Sequence, residues 1–340
     1  MNSRLIRFEM IKNNKIMCIA ITVLFFYMQP SIAKTTLGTP DIDDIEYPDD
    51  EPHSPDEIYL GKTLFFDTRL SLNEKQSCAS CHNPDLGFSD GLKTSIGTMG
   101  SQVSRNSPHL YNLAWSATLF WDGRASSLEE QALGPIQAPG EMNLPLSEVV
   151  PRLSKVPYYQ KQFKAVYGES GLTINNVANA IAAFERTIIS DNSAYDKYIA
   201  GNISAMSPSA IRGLVLFKGK ANCTNCHDGP NFTDDSYHNI GVSPVSTDLG
   251  RANISGSEEL VGAFKTPGLR NIVFSAPYMH DGSLSSLEDV IDFYNKGGAH
   301  KKSISSLIKP LHLNNTEIAD LVAFLGSLTA PVAIERPKIP

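Results

Sequence analysis

The sequence of 340 residues has little charge and little cysteine. Charged residues make up 19% against 41% hydrophobic, which excludes a disordered chain or a coiled coil. Positive charge is in deficit. The net charge of −7 has the wrong sign for a body that binds nucleic acid or an anionic membrane surface. Five cysteines are too few for a disulfide framework in a chain this long. The apolar run from Met17 to Met28 covers 12 residues, too short for a mature transmembrane helix. Convincing strand alternation is lacking. What surrounds the apolar run is informative: Arg4, Arg7, Lys12 and Lys15 precede it, and the small-x-small triplet Ser31-Ile32-Ala33 follows. This pattern predicts a secretory signal peptide over 1–33, starting at Met1 or Met10, with export to a bacterial periplasm and no stable membrane insertion.

Cys18 lies inside that segment. The other four cysteines form two C-x-x-C-H strings, Cys78-Ala79-Ser80-Cys81-His82 and Cys223-Thr224-Asn225-Cys226-His227. A zinc site would need ligands gathered from two distant segments, and a redox dithiol gives no reason for the histidine to recur. Covalent haem c explains every residue of both strings: two thiols join the two vinyl groups, and the adjacent histidine ligates iron. Two haems are therefore expected, held by Cys78 and Cys81 and by Cys223 and Cys226, with His82 and His227 as proximal ligands. The strings lie 145 residues apart, which predicts one haem per domain, 34–200 and 201–340. The expected fold is mainly α, two tandem c-type cytochrome domains with long ordered loops. Val177, Ala180, Ile181, Phe184 and Ile188 fall at helical spacing, as do Ile318, Leu321, Val322 and Leu325 behind a Thr316 cap. Glycine and proline from Gly134 to Pro145 predict a loop, and Tyr195 to Pro208 reads as the connection between halves. The haem string is the one internal repeat evident.

Further strings carry a resemblance. They are Leu60-Gly61-Lys62-Thr63-Leu64-Phe65-Phe66-Asp67, Trp121-Asp122-Gly123-Arg124, Gly134-Pro135-Ile136, Thr266-Pro267-Gly268-Leu269-Arg270-Asn271 and Ala276-Pro277-Tyr278-Met279-His280-Asp281-Gly282. With the two haem strings, they make the chain similar to the bacterial di-haem cytochrome c peroxidase and MauG superfamily from about Ser54 to Leu328. The resemblance implies a haem-dependent peroxidase acting on hydrogen peroxide. Related peroxidases place a distal histidine sixteen residues after the first proximal one; here that position is Thr98, a poor iron ligand. The first haem is thus expected to be open, with Met99 and His109 as rival ligands. By offset from Trp121, Glu141 matches the family's distal carboxylate, Gln131 its distal amide and Pro135 a pocket-lining proline. Without the resemblance, Gln131 would read as a surface helix residue and Glu141 as a solvated loop acid. Trp121 matches the tryptophan between the haems, whereas Trp115 reads as a core aromatic. Asn106, with the carbonyls of Ser275 and Pro277, matches a calcium site.

The second haem separates the branches. Where ordinary peroxidases place a methionine ligand, this chain has Tyr294, the feature of the MauG branch. A phenolate stabilises high iron charge and lowers the reduction potential, whereas a thioether raises it. The resemblance therefore implies a MauG-like enzyme that forms a high-valent di-haem state and oxidises an external donor, a protein redox partner or side chains of a protein substrate. The alternatives are ordinary peroxide detoxification with electrons from a small redox protein, and a non-catalytic di-haem electron carrier. Arg124, Lys265 and Arg270 are candidates for haem propionates and His280 for the surroundings of the second haem. His53, His238, His300 and His312 read as surface or packing residues.

Overall fold

A computed structural model describes residues 37–48, 53–245 and 247–340. The expected signal peptide lies outside the described residues. Eleven helices are present among the described residues: α1 Pro55–Phe65, α2 Cys78–Cys81, α3 Leu128–Gln137, α4 Leu146–Leu153, α5 Pro157–Tyr167, α6 Ile174–Glu185, α7 Ala194–Ile199, α8 Pro208–Lys218, α9 Ala252–Ser255, α10 Leu287–Asn295 and α11 Asn315–Ser327. The one sheet among them is a two-residue antiparallel ribbon, β1 Tyr237–His238 against β2 Phe264–Lys265. The fold is mainly α with long ordered loops, as the sequence predicts.

Each half is built on one crossed helix pair. α1 crosses α6 where Gly61 has no side chain; a Cβ there would stand 1.6 Å from the Ala180 carbonyl oxygen. α8 crosses α11 in the same way at Gly213, where a Cβ would stand 1.9 Å from the Asp320 carbonyl oxygen. Around the first pair pack Leu60, Leu64, Ile136, Phe163 and Ile181. Around the second pack Tyr195, Phe217, Phe232, Leu321 and Phe324.

Three local expectations change. α3 runs through Gly134 and Pro135 to Gln137, so the loop expected from Gly134 begins only at Ala138. The cap of α11 is Asn314, not Thr316: Asn314 Oδ1 accepts from the Glu317 N–H at 3.0 Å and Glu317 Oε2 accepts from the Asn314 N–H at 2.8 Å. This reciprocal capping box satisfies two donors at once, which the threonine could not do from inside the first turn. The stretch from Tyr195 is not a plain connection but carries α7, whose Tyr195 is buried and donates to the Leu37 carbonyl at 2.6 Å. Asp196 on that helix takes a bidentate pair of hydrogen bonds from the buried Arg270, at 2.8 and 2.9 Å. Arg270 also donates to the Pro230 and Gly38 carbonyls, so its guanidinium braces the chain.

A second internal repeat accompanies the haem strings. Asp122-Gly123-Arg124-Ala125-Ser126-Ser127-Leu128-Glu129 recurs 159 residues later as Asp281-Gly282-Ser283-Leu284-Ser285-Ser286-Leu287-Glu288. The backbone repeats with it. Asn112 and Asn271 are left-handed, each opening a short 3-10 turn, and Phe120 and Met279 are left-handed at the next bend. Ser127 caps α3 and Ser286 caps α10. The halves meet reciprocally across this repeat. The Asn106 N–H donates to the His280 carbonyl at 2.8 Å, while its counterpart Lys265 donates to the carbonyl of Trp121, the counterpart of His280, also at 2.8 Å. Such exchange is the signature of an approximate two-fold axis.

Candidate functional site

Each half encloses a cavity, about 460 Å³ in the first and about 210 Å³ in the second. Cys78, Cys81 and His82 line the larger; Cys223, Cys226 and His227 line the smaller. The two cysteine pairs therefore belong to separate sites and cannot share one zinc ion. Burial pushes the Cys78, Cys81 and Cys223 thiols up, the opposite of what a redox dithiol needs. Both histidines are held alike: His82 Nδ1 lies 3.0 Å from the Phe88 carbonyl oxygen and His227 Nδ1 lies 2.8 Å from that of Phe232. A carbonyl only accepts, so Nδ1 carries the hydrogen and Nε2 presents a bare lone pair to the cavity. Burial lowers both histidine pKa values, which keeps the rings neutral, the form that binds a metal. Protonated thiols beside a fixed neutral imidazole suit a c-type haem in each cavity.

The opposite walls differ. α3 and α10 start from equivalent serines, and the eighth residue after each cap is Pro135 in one and Tyr294 in the other. Pro135 lines the larger cavity and Tyr294 the smaller. The Tyr294 hydroxyl has no hydrogen-bond partner among the described residues, and burial raises its pKa, with the neighbouring Cys223 and Cys226 adding to the rise. The larger cavity is also lined by Gln131 and Glu141, whose side chains have no hydrogen-bond partner among the described residues. Burial raises the Glu141 pKa, opposed by Arg124. The rival ligands turn elsewhere. Thr98 donates to Gln76 Oε1 at 2.6 Å, and Met99 is 63% exposed. His109 accepts from the Tyr111 N–H at Nδ1 and so donates from Nε2 to the Gly268 carbonyl at 2.9 Å, which occupies both nitrogens.

Trp121 lines both cavities, and its indole N–H donates to the Asn106 carbonyl at 2.8 Å. Asn106, Ser275 and Pro277 line the smaller cavity together. Asn106 Nδ2 donates to the Leu92 and Lys93 carbonyls, which fixes the amide and leaves Oδ1 as an acceptor. Trp115 lines the larger cavity and donates to the Asp41 carbonyl at 3.2 Å, so it is a wall residue more than a core one. The sequence reading missed the packing around Trp121. His280 lies 6.5 Å from its ring and stacks on Phe264 at 3.6 Å. Arg105 clamps Asp122, beside Trp121, to Asp248 of the second half at 2.7 Å each. His238, read as a surface or packing residue, lines the smaller cavity with Nε2 2.7 Å from Asp234 Oδ2. Its period-breaking place on a two-residue strand left no sequence signal.

Two cavities, each lined by a C-x-x-C pair and the histidine that follows it, fit a di-haem c-type protein. The comparisons agree. The family described as di-haem cytochrome c peroxidase matches residues 55–204. The methylamine utilization protein MauG of Methylorubrum extorquens is 45% identical over 300 residues, covering 87% of this chain and 85% of that protein. The cytochrome c551 peroxidase of Nitrosomonas europaea is 37% identical over 282 residues, covering 82% and 81%. A solved MauG-like protein associated with microbial copper homeostasis superposes with a TM-score of 0.79 at 32% identity, over 88% and 95% of the two chains. The chain belongs to the di-haem cytochrome c peroxidase and MauG family. Membership implies two haem c groups. Among the described residues, no helix is long and apolar enough to cross a membrane.

Proposed function

We propose that the chain is a periplasmic MauG-like peroxidase whose two haems are unlike by design. Cys78 and Cys81 would hold the first and Cys223 and Cys226 the second, with His82 and His227 as the iron ligands and Tyr294 as a further ligand to the second. When bound, the haem pair supplies an iron site for peroxide and stores the two oxidising equivalents that peroxide brings. The observation that carries this reading is the pairing of Pro135 with Tyr294: one helical position offers no ligand atom in one half and a phenol oxygen in the other. The Tyr294 hydroxyl, without a hydrogen-bond partner among the described residues, would be free to serve as a hard anionic ligand to a ferric haem in the smaller cavity.

Glu141 takes the proton from the inner oxygen of peroxide and returns it to the outer one, which makes the outer oxygen leave as water. Its raised pKa brings it nearer to neutrality, where such transfer is efficient. The Gln131 amide N–H steadies the charge that develops on the parting oxygen. Trp121, in the wall common to both cavities, relays electrons between the two sites. Asn106 Oδ1 with the carbonyls of Ser275 and Pro277 offers hard oxygen donors for calcium beside that relay. The external donor is a reduced protein, oxidised at tryptophan or tyrosine side chains.

The test is a donor assay on the haem-loaded protein. One equivalent of hydrogen peroxide is expected to produce a lasting optical change that a tryptophan- or tyrosine-bearing protein donor discharges faster than reduced cytochrome c does. Faster discharge by cytochrome c makes it an ordinary detoxifying peroxidase. No reaction with peroxide makes it an electron carrier.

A further inference from the structure

Glu185 ends α6 and is 5% exposed. One of its carboxyl oxygens, Oε2, is buried without a hydrogen-bond partner among the described residues. It lines the larger cavity close to Cys78, whose thiol its charge helps to raise. A buried carboxyl with an idle oxygen opposes folding, so its persistence calls for a chemical reason.

The second half supplies a control. The close approaches Gly61–Ala180 and Gly213–Asp320 align α6 with α11. One residue further along each, Ile181 and Leu321 face their cavities; four more bring Glu185 and Leu325, which also face them. The architecture thus accepts a leucine at this position. The acid stands only in the half whose distal helix carries Pro135 and leaves the iron open.

A largely buried ion pair neighbours it. Glu129 at the start of α3 pairs with Arg186 at 2.6 Å, with side chains 17% and 7% exposed. Burial first, then the Glu129 charge, push the Glu185 pKa up to about 8, with Arg186 opposing. Glu185 is therefore a neutral acid at neutral pH, with a proton to give. Cys78 cannot ionise once joined to a vinyl group, and of the other acids on this cavity Asp122 is paired with Arg105 and Arg124 and Asp235 with Lys265, which leaves Glu141.

We propose that Glu185 is the proton-transfer residue of the larger cavity, giving its carboxyl proton to the oxygen chemistry there and regaining one from solvent along the Glu129–Arg186 pair. The proposal rests on the peroxidase reading above. In one turnover, hydrogen peroxide, two electrons from the reduced protein donor and two protons become two waters. The O–O bond breaks, two O–H bonds form, and Glu185 ends as it began. Glu141 shifts a proton within peroxide; Glu185 imports the protons that peroxide does not bring.

Glu185→Gln keeps the shape and cannot deliver the proton; Glu185→Leu copies the second half. At equal haem content, both variants are expected to slow steady turnover more than they slow the reaction with the first equivalent of peroxide. Steady turnover with excess reduced donor is expected to fall at least about tenfold, with a larger solvent deuterium isotope effect. The readout independent of turnover is proton uptake when the ferric holoprotein is reduced without peroxide, followed with an indicator dye. Above about pH 8 the wild type is expected to take up one proton more than either variant. Unchanged uptake overturns the proposal, even with slower turnover, because a packing defect alone then explains the rate. A wild type that ignores peroxide fails the peroxidase reading, while the uptake still decides the role of Glu185.

Discussion

On the proposed reading, a single phenol oxygen at one helical position, Tyr294 against Pro135, separates a closed haem from an open one. Tyr294→Phe removes that oxygen and keeps the ring. The reduction potential of the second haem is expected to rise in a spectroelectrochemical titration, because an anionic ligand no longer favours ferric iron; an unaltered potential would make Tyr294 a packing residue. Glu141→Gln is expected to slow the stopped-flow reaction with peroxide by about 10²–10⁴-fold at unchanged haem content. Glu141 acts as a base, so the wild-type rate is expected to climb as pH rises through its pKa. Burial places that inflection above the ordinary glutamate value of about 4.3, and the variant should lack it. At this scale the sequence was readable where chemistry demands fixed spacing, as in the two C-x-x-C-H strings. Glu185 escaped notice because its apolar helix neighbours made it look like the end of a core stripe; its burial is a tertiary fact.

The helices act in pairs, and each pair depends on one glycine. Gly61→Ala and Gly213→Ala drive a methyl into a facing carbonyl, so each is expected to cost about 1–3 kcal/mol as the helices move apart. The damage should be local: haem-specific spectra ought to register Gly61→Ala at the first haem and Gly213→Ala at the second. Equal disturbance of both haems would contradict the view that each pair frames its own cavity. The apolar periods of α6 and α11 were plain in sequence. The true cap of α11 was not, since Asn314 and Thr316 are both good cap residues and only the reciprocal bond with Glu317 decides between them.

The whole molecule is a duplicated unit that has diverged at its two irons. The Asp-Gly-x-x-Ser-Ser-Leu-Glu repeat stands in the sequence but went unread, because Trp121 against His280 and Pro135 against Tyr294 conceal it at the positions that carry chemistry. The chain crosses between halves on a few strong ties. Arg270→Leu leaves the buried Asp196 without its countercharge, with only Ser193 still donating to it among the described residues, and is expected to cost about 3–5 kcal/mol in denaturant unfolding. A loss below about 1 kcal/mol would mean that the tie is dispensable. Calcium chelation should leave both haems attached yet slow electron exchange between them, since the oxygen donors flank Trp121 and not the thioethers. The most direct measurement of the central asymmetry is low-temperature electron paramagnetic resonance of the fully ferric protein. One high-spin haem, water-bound or five-coordinate, beside one low-spin haem whose signal changes in Tyr294→Phe, is the predicted result; two low-spin haems indifferent to that substitution would contradict it.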